Sequence, residues 1–167
     1  MKSLKNLSLV CLTLAAAGCS TVSYQSMGIR GGYSEKQINE HTYRVHYSGN
    51  GSVSLEQVID FALLRSAVIA QQKGARTFIS SNYLANVSST YSGTPGVYVS
   101  KPSVYLDISL NDEQKTDTTA ACDNYSNLFR LMAKQETPRP VAHDTQTCIE
   151  QVQYKYQLTD QQVFDKK

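Results

Sequence analysis

Residues 54–74 read Ser-Leu-Glu-Gln-Val-Ile-Asp-Phe-Ala-Leu-Leu-Arg-Ser-Ala-Val-Ile-Ala-Gln-Gln-Lys-Gly, and their reading decides the fold. Ser54 is an N-cap residue type with Gln57 three positions on, the pattern of a capping box. Gly74 stands where a helix C′ residue would. The spacing predicts a helix over about 55–73. Leu55, Val58, Ile59, Ala62, Ser66, Ile69 and Ala70 share one stripe at helical period. Phe61, Leu64 and Val68 form a second stripe on nearly the opposite side, and Glu56, Asp60 and Gln71 hold a polar edge. A helix apolar on two sides is covered on two sides. The first stripe is expected on a sheet, the second against a later segment or a partner.

Outward from this helix the chain alternates. In residues 42–48, Tyr43, Val45 and Tyr47 fall on one face and Arg44 and His46 on the other, as in a half-buried strand. Gly49-Asn50-Gly51-Ser52 reads as a turn. Residues 76–81 read as a second short strand, and Val104, Leu106, Ile108 and Leu110 mark a third. Residues 83–102, rich in Ser, Tyr, Gly and Pro, read as a loop, as do the polar residues 111–119. A helix is expected over 123–135, with Leu128, Leu131 and Met132 on one face, stopped by Pro138-Arg139-Pro140. Residues 148–157 carry Cys148, Val152, Tyr154 and Tyr156 at even positions and read as a strand. The fold class expected is α+β: a small three- to four-stranded sheet with the 55–73 helix on one face, a strand-helix-strand core and a C-terminal extension. If strands 42–48 and 76–81 are adjacent and parallel, their crossover is right-handed.

The N-terminus has its own pattern. Lys2 and Lys5 precede an 11-residue apolar run, Leu7 to Ala17, interrupted by Ser8 and Thr13. The run is too short for a membrane-spanning helix, which needs about 20 residues, and suits a signal h-region. It ends in Leu14-Ala15-Ala16-Ala17-Gly18-Cys19, which resembles the bacterial lipobox, with Ala16 where that pattern prefers Leu. The resemblance implies cleavage after Gly18 and lipidation of Cys19, hence a membrane partner through the lipid anchor. Ser20 rather than Asp after the Cys implies sorting to the outer membrane. The domain plan is then a cleaved signal peptide (1–18), a tether (19–30), one globular domain (31–158) and a flexible tail (159–167).

Composition narrows the function. The sequence holds 16 Lys and Arg and 14 Asp and Glu; Lys2 and Lys5 lie in the leader, so the remainder carries 14 of each. No nucleic-acid footprint is present, and no nucleic-acid partner is expected. Eleven tyrosines and no tryptophan suit half-wet sheet faces and interfaces. Cys122 and Cys148 remain once Cys11 and Cys19 are accounted for. In an oxidising envelope they are expected to pair, and closing a loop of about 27 residues contributes roughly 3.5 kcal/mol. His143 is near Cys148, but no third and fourth ligand has metal-site spacing, so no metal is expected.

One longer resemblance exists. Gly31-Gly32-Tyr33-Ser34-Glu35, Tyr43-Arg44-Val45, Gly49-Asn50, Leu63-Leu64-Arg65-Ser66-Ala67, Gly74 and Phe78, in that order, resemble the CC0125/CC1285 family of small bacterial lipoproteins. The match covers residues 28–80. Val68 stands where that family often has an acidic residue, which extends the second apolar stripe. The resemblance implies a strand-helix-strand core, a lipid anchor and no established activity.

Candidate chemistry is sparse. His41, His46 and His143 are the histidines, and His46 falls on the polar face of its strand. No Gly-x-Ser-x-Gly elbow supports a Ser-His-Asp triad, and no catalytic residue or cofactor is assigned. Gly49-Asn50-Gly51 before a helix start has two readings, an anion cradle at the helix N-terminus or a turn plus cap; the second is the expectation, since the Lys and spacing of a phosphate loop are missing. Arg65 beside an apolar stripe must snorkel or pair, and Glu35 is its candidate partner in a structural ion pair. Three functions follow as expectations: a non-enzymatic interaction or adaptor module with an envelope protein partner; a structural, cell-wall-associated lipoprotein; or an enzyme whose site lies outside motif recognition.

Overall fold

The computed structural model describes residues 24–110, 120–122 and 140–164. The lipobox and Cys19, the 111–119 loop, the 123–135 helix and residues 165–167 lie outside the described residues.

The helix of residues 54–74 forms as α1, Leu55–Gln72. The Ser54 side chain accepts from the Gln57 N–H at 3.1 Å. At the other end Gly74, at φ +74°, closes a Schellman pair: Gly74 N–H donates to the Gln71 carbonyl at 3.0 Å and Ala75 N–H to Ala70 at 2.9 Å. Every residue from Val58 to Ala70 is buried. Ser66, polar within the first stripe, donates to the Ala62 carbonyl at 2.8 Å and so leaves no orphan hydroxyl.

The strands are β1 (Gly32–Gln37), β2 (Thr42–Ser48), β3 (Thr77–Tyr91), β4 (Tyr98–Ser109) and β5 (Val141–Asp144). They form one antiparallel sheet in the order β1-β2-β4-β3-β5. The chain is α+β, but the expected three- to four-stranded sheet is corrected to five. The two unforeseen strands are both edges. β1 reads Gly-Tyr-Ser-Glu-Lys-Gln, with no apolar alternation, and β5 is four residues long. Edge strands need little buried surface, so the pattern that marks a central strand is missing. β2 and β3 are not adjacent: β4 lies between them, antiparallel to both, so β2-α1-β3 is a split crossover.

Three further expectations are corrected. Residues 83–102 are the arms of a long β3–β4 hairpin rather than a loop. Tyr83 is buried, but from Asn86 outward the Ser, Thr and Tyr side chains pair as strand and face water on both sides, which erases hydrophobic alternation. Residues 148–157 are helical, within α2 (Thr145–Tyr156), capped by the Asp144 side chain, which accepts from Thr147 N–H at 2.8 Å. Cys148, Ile149, Val152 and Tyr156 fit a helical stripe as well as Cys148, Val152, Tyr154 and Tyr156 fit a strand; Asp144 tips the balance. Asp160–Phe164 form a short α3 whose Val163 is 1% exposed, where a flexible tail was expected.

The core lies between one face of the sheet and the helices. Val45, Tyr47, Val104, Leu106, Ile108 and Phe78 point inward, against α1. α2 covers the far side of α1, with Tyr156 edge-on to Phe61 at 4.9 Å. Both helical stripes are thereby buried. Among the described residues no helix is long and apolar enough to cross a membrane.

Candidate interaction surface

The structure brings Glu35 and Arg65 together. Arg65 Nε donates to Glu35 Oε2 at 3.1 Å and an Arg65 terminal nitrogen to Oε1 at 2.5 Å. The guanidinium lies 4.3 Å from the Tyr33 ring centroid. Tyr24 stacks obliquely on Tyr33 at 4.8 Å and is 3% exposed, so the second half of the expected tether is part of the fold. Ring face and carboxylate together replace the water a buried guanidinium loses. The pair ties β1 to α1.

Cys122 and Cys148 are joined by a disulfide, with Cα atoms 5.1 Å apart and both residues buried. Beside it lies a chain of buried polar groups absent from the sequence reading. His143 Nδ1 is 3.1 Å from the Ala120 carbonyl, which can only accept, so Nδ1 carries the proton. Nε2 then accepts from the Ser80 hydroxyl at 2.7 Å, and Ser80 in turn accepts from Tyr83. Burial pushes the His143 pKa down to about 4. Ser80 and His143 are 0% exposed, so this Ser–His pair braces β3 and β5 where no substrate can arrive. Its signal was unreadable because Ser80 and His143 are 63 residues apart. Among the described residues no three His, Cys, Asp or Glu side chains gather as metal ligands.

A second polar group joins the helices. Lys155 Nζ donates to Glu56 at 2.6 Å and to Asp60 at 2.7 Å, and the Tyr156 hydroxyl donates to Asp60 at 2.7 Å. Burial raises the Asp60 pKa, opposed by those two donors. In Gly49-Asn50-Gly51 the Asn50 side chain accepts from Ser52 N–H at 2.9 Å, a local turn bond.

The other face of the sheet is uncovered by any described residue. His46 on β2 and Tyr105 on β4 are cross-strand partners whose rings stack at 4.0 Å and 7°. Burial beneath the tyrosine lowers the His46 pKa, favouring the neutral ring. One row along, Arg44 grips Asp107 with two hydrogen bonds, 2.7 and 3.0 Å. Asn82 Nδ2 adds a third to Asp107 at 3.0 Å. Asn82 reaches it from an irregularity in β3 between Ser81 and Leu84, where its φ is +51°. The Arg44 hydrogen bond, with that of Asn82, holds the Asp107 carboxyl below the usual range despite its partial burial. Leu84, opposite Tyr105, is 65% exposed. The sequence placed Arg44 and His46 on a polar face; Tyr105, Asp107, Asn82 and Leu84 join them only through the pairing register.

Beyond the sheet β3 and β4 continue as a two-stranded ribbon. β5 pairs only with Thr77–Ser80, and β2 reaches only Ser103. From Leu84 to Tyr91 and from Tyr98 to Pro102 the outer edges meet no further described strand. Val87, Tyr91, Val97 and Tyr98 are exposed there, with Tyr91 edge-on to Tyr98. No family model matches the sequence, and no curated protein or solved structure matches it.

Proposed function

We propose that this chain is a lipid-anchored lipoprotein of the bacterial envelope, held at the outer membrane through Cys19, whose domain binds another envelope protein across the open face of its sheet. One observation carries the binding reading: the uncovered face presents side chains that are already ordered. The His46–Tyr105 stack and the Arg44–Asp107–Asn82 set are fixed on strands before any partner arrives. Ordering a mobile side chain on association costs about 0.5–1.5 kcal/mol each, and this face has met that cost in folding. Tyr and Arg are the residue types that concentrate binding energy, and Leu84 supplies an apolar centre beside them. The leader pattern and the resemblance over residues 28–80 support the anchor. A binding role rather than catalysis is supported by the burial of the Ser80–His143 pair.

In-cell crosslinking of the full-length lipoprotein with mass spectrometry tests this reading. One reproducible protein partner is expected, lost in Cys19→Ala and depleted in Tyr105→Ala and Leu84→Asp. Crosslinks only to the chain itself or to abundant neighbours, unchanged by those substitutions, would overturn it.

A further inference from the structure

The two ends of the sheet differ in charge. At one end lie the tight turn Gly28–Gly31, the loop Gly49–Val53 and the ribbon. They are held side by side: Gly31 packs on the Ser48 carbonyl, Gly49 N–H donates to the Pro102 carbonyl at 2.8 Å, and Gly51 has no room for a side chain beside Val99. Residues 24–34, 49–55 and 84–106 contain no Asp or Glu, but they do contain Arg30 and Lys101. The carboxylates that follow these segments in sequence, Glu35, Glu56 and Asp107, are ion-paired with Arg65, Lys155 and Arg44. The opposite end carries Glu40, Lys73, Arg76 and Asp144.

These three segments, free of carboxylates, are also apolar at their tips. Ile29, at the apex of a turn closed by two Gly28–Gly31 backbone hydrogen bonds, is fully exposed at 109%, and Met27 beside it is 41% exposed. Val97, Tyr98 and Tyr91 project from the ribbon. The described chain begins at Tyr24, pinned against Tyr33 and Phe61. Four residues separate it from Cys19, and the five Cα-to-Cα steps span at most ~18 Å.

We infer that this end of the domain rests on an anionic phospholipid surface, with Ile29 and Val97 at the boundary of headgroups and acyl chains, Tyr91 and Tyr98 at headgroup depth, and Arg30 and Lys101 on lipid phosphates. The inference rests on the proposed lipidation of Cys19, whose short covalent reach holds this end near the bilayer. Tyr rings are amphipathic and suit that boundary. Carboxylates, which anionic headgroups repel, are missing from the three segments that make the contact. The strands then run toward the membrane, and the open face is turned sideways, clear for a protein partner.

The mature lipoprotein, reconstituted in phosphatidylethanolamine–phosphatidylglycerol vesicles, tests this. Ile29→Cys, Val97→Cys and, at the far end, Glu40→Cys each carry a fluorophore; Cys122 and Cys148 are bonded to each other and do not label. Labels at 29 and 97 are expected to be about fivefold less accessible to aqueous iodide than the label at 40, and quenched by shallow spin-labelled lipids. Equal accessibility at all three positions on a lipidated chain would overturn the inference and leave the anchor standing. Shielding from iodide without quenching by lipid would overturn it in favour of contact between two copies. A mature chain whose mass shows no lipid on Cys19 would remove the anchor reading and this inference with it.

Discussion

β2 sends Tyr43, Val45 and Tyr47 into the core and Arg44 and His46 onto the open face, and the two sides of the sheet use polar groups differently. On the covered side, polar side chains lock elements together: buried Arg65 with half-buried Glu35, and, where water is excluded, His143 with Ser80 and Tyr83. On the open side, Arg44 with Asp107 and His46 with Tyr105 are held in position but remain within reach of solvent. The period of two in a strand separates the tasks residue by residue. Substitutions on the covered side are therefore expected to move stability, and those on the open side to move association.

The largest effect expected is at the disulfide, which fastens α2 to the segment before β5. Replacing Cys122 and Cys148 together by Ala opens a crosslink across a sequence separation of 26, and loses roughly 3.5 kcal/mol in the chain-entropy model. Chemical denaturation of the two proteins reads this directly. A loss under about 1 kcal/mol would mean that the packing of α2 on α1 holds the C-terminal region alone. Glu35→Ala comes next. It leaves Arg65, with 8% of its side chain exposed, without its carboxylate. Removing one partner of a buried pair costs 3–5 kcal/mol, and since Glu35 keeps 32% of its side chain in water the loss is expected near the low end, about 3 kcal/mol.

Acid is a third way to break the covered side. His143 has its pKa lowered to about 4 by burial, while the unfolded chain titrates near the ordinary 6.5. Between those values the unfolded state binds more protons, so stability falls as pH falls through that window. Between pH 7 and pH 5 this group's contribution is a loss of about 2 kcal/mol. Melting curves at the two pH values, compared between the wild-type protein and His143→Gln, isolate it. Equal pH dependence in both would sink the assignment.

The sequence made the covered side readable and the open side nearly invisible. α1, with its cap at Ser54 and stop at Gly74, was legible because burial on both flanks writes a helical period and the ends need particular residue types. β2 and the inner half of β4 were legible for the same reason, at period two. The ribbon was not, because residues facing water on both sides obey no alternation. α2 was misread as a strand because over ten residues Cys148, Val152 and Tyr156 satisfy both periods. Of the candidate surface, Arg44 and His46 could be placed on a polar face. Their partners Asp107 and Tyr105 lie 63 and 59 positions away, in a strand expected to pair antiparallel with 42–48 or 76–81 but in no known register. Cross-strand register is a tertiary fact, and one chain read alone does not carry it.

The smallest effect on stability sharpens the comparison most. Tyr105 is 41% exposed, and its ring stack with His46 is a cross-strand pair on a wet face. Such pairs contribute roughly 0.2–1 kcal/mol, so Tyr105→Ala is expected to cost about 0.5 kcal/mol. His46, freed from the burial that lowers its pKa, should titrate closer to the ordinary value, an upward shift that imidazole NMR signals would record. The fold is expected to be unchanged while partner crosslinks disappear. A Tyr105→Ala protein that loses about 2 kcal/mol or more would place the stack among the structural contacts, and the division of labour between the faces would fail at the residue chosen to represent it.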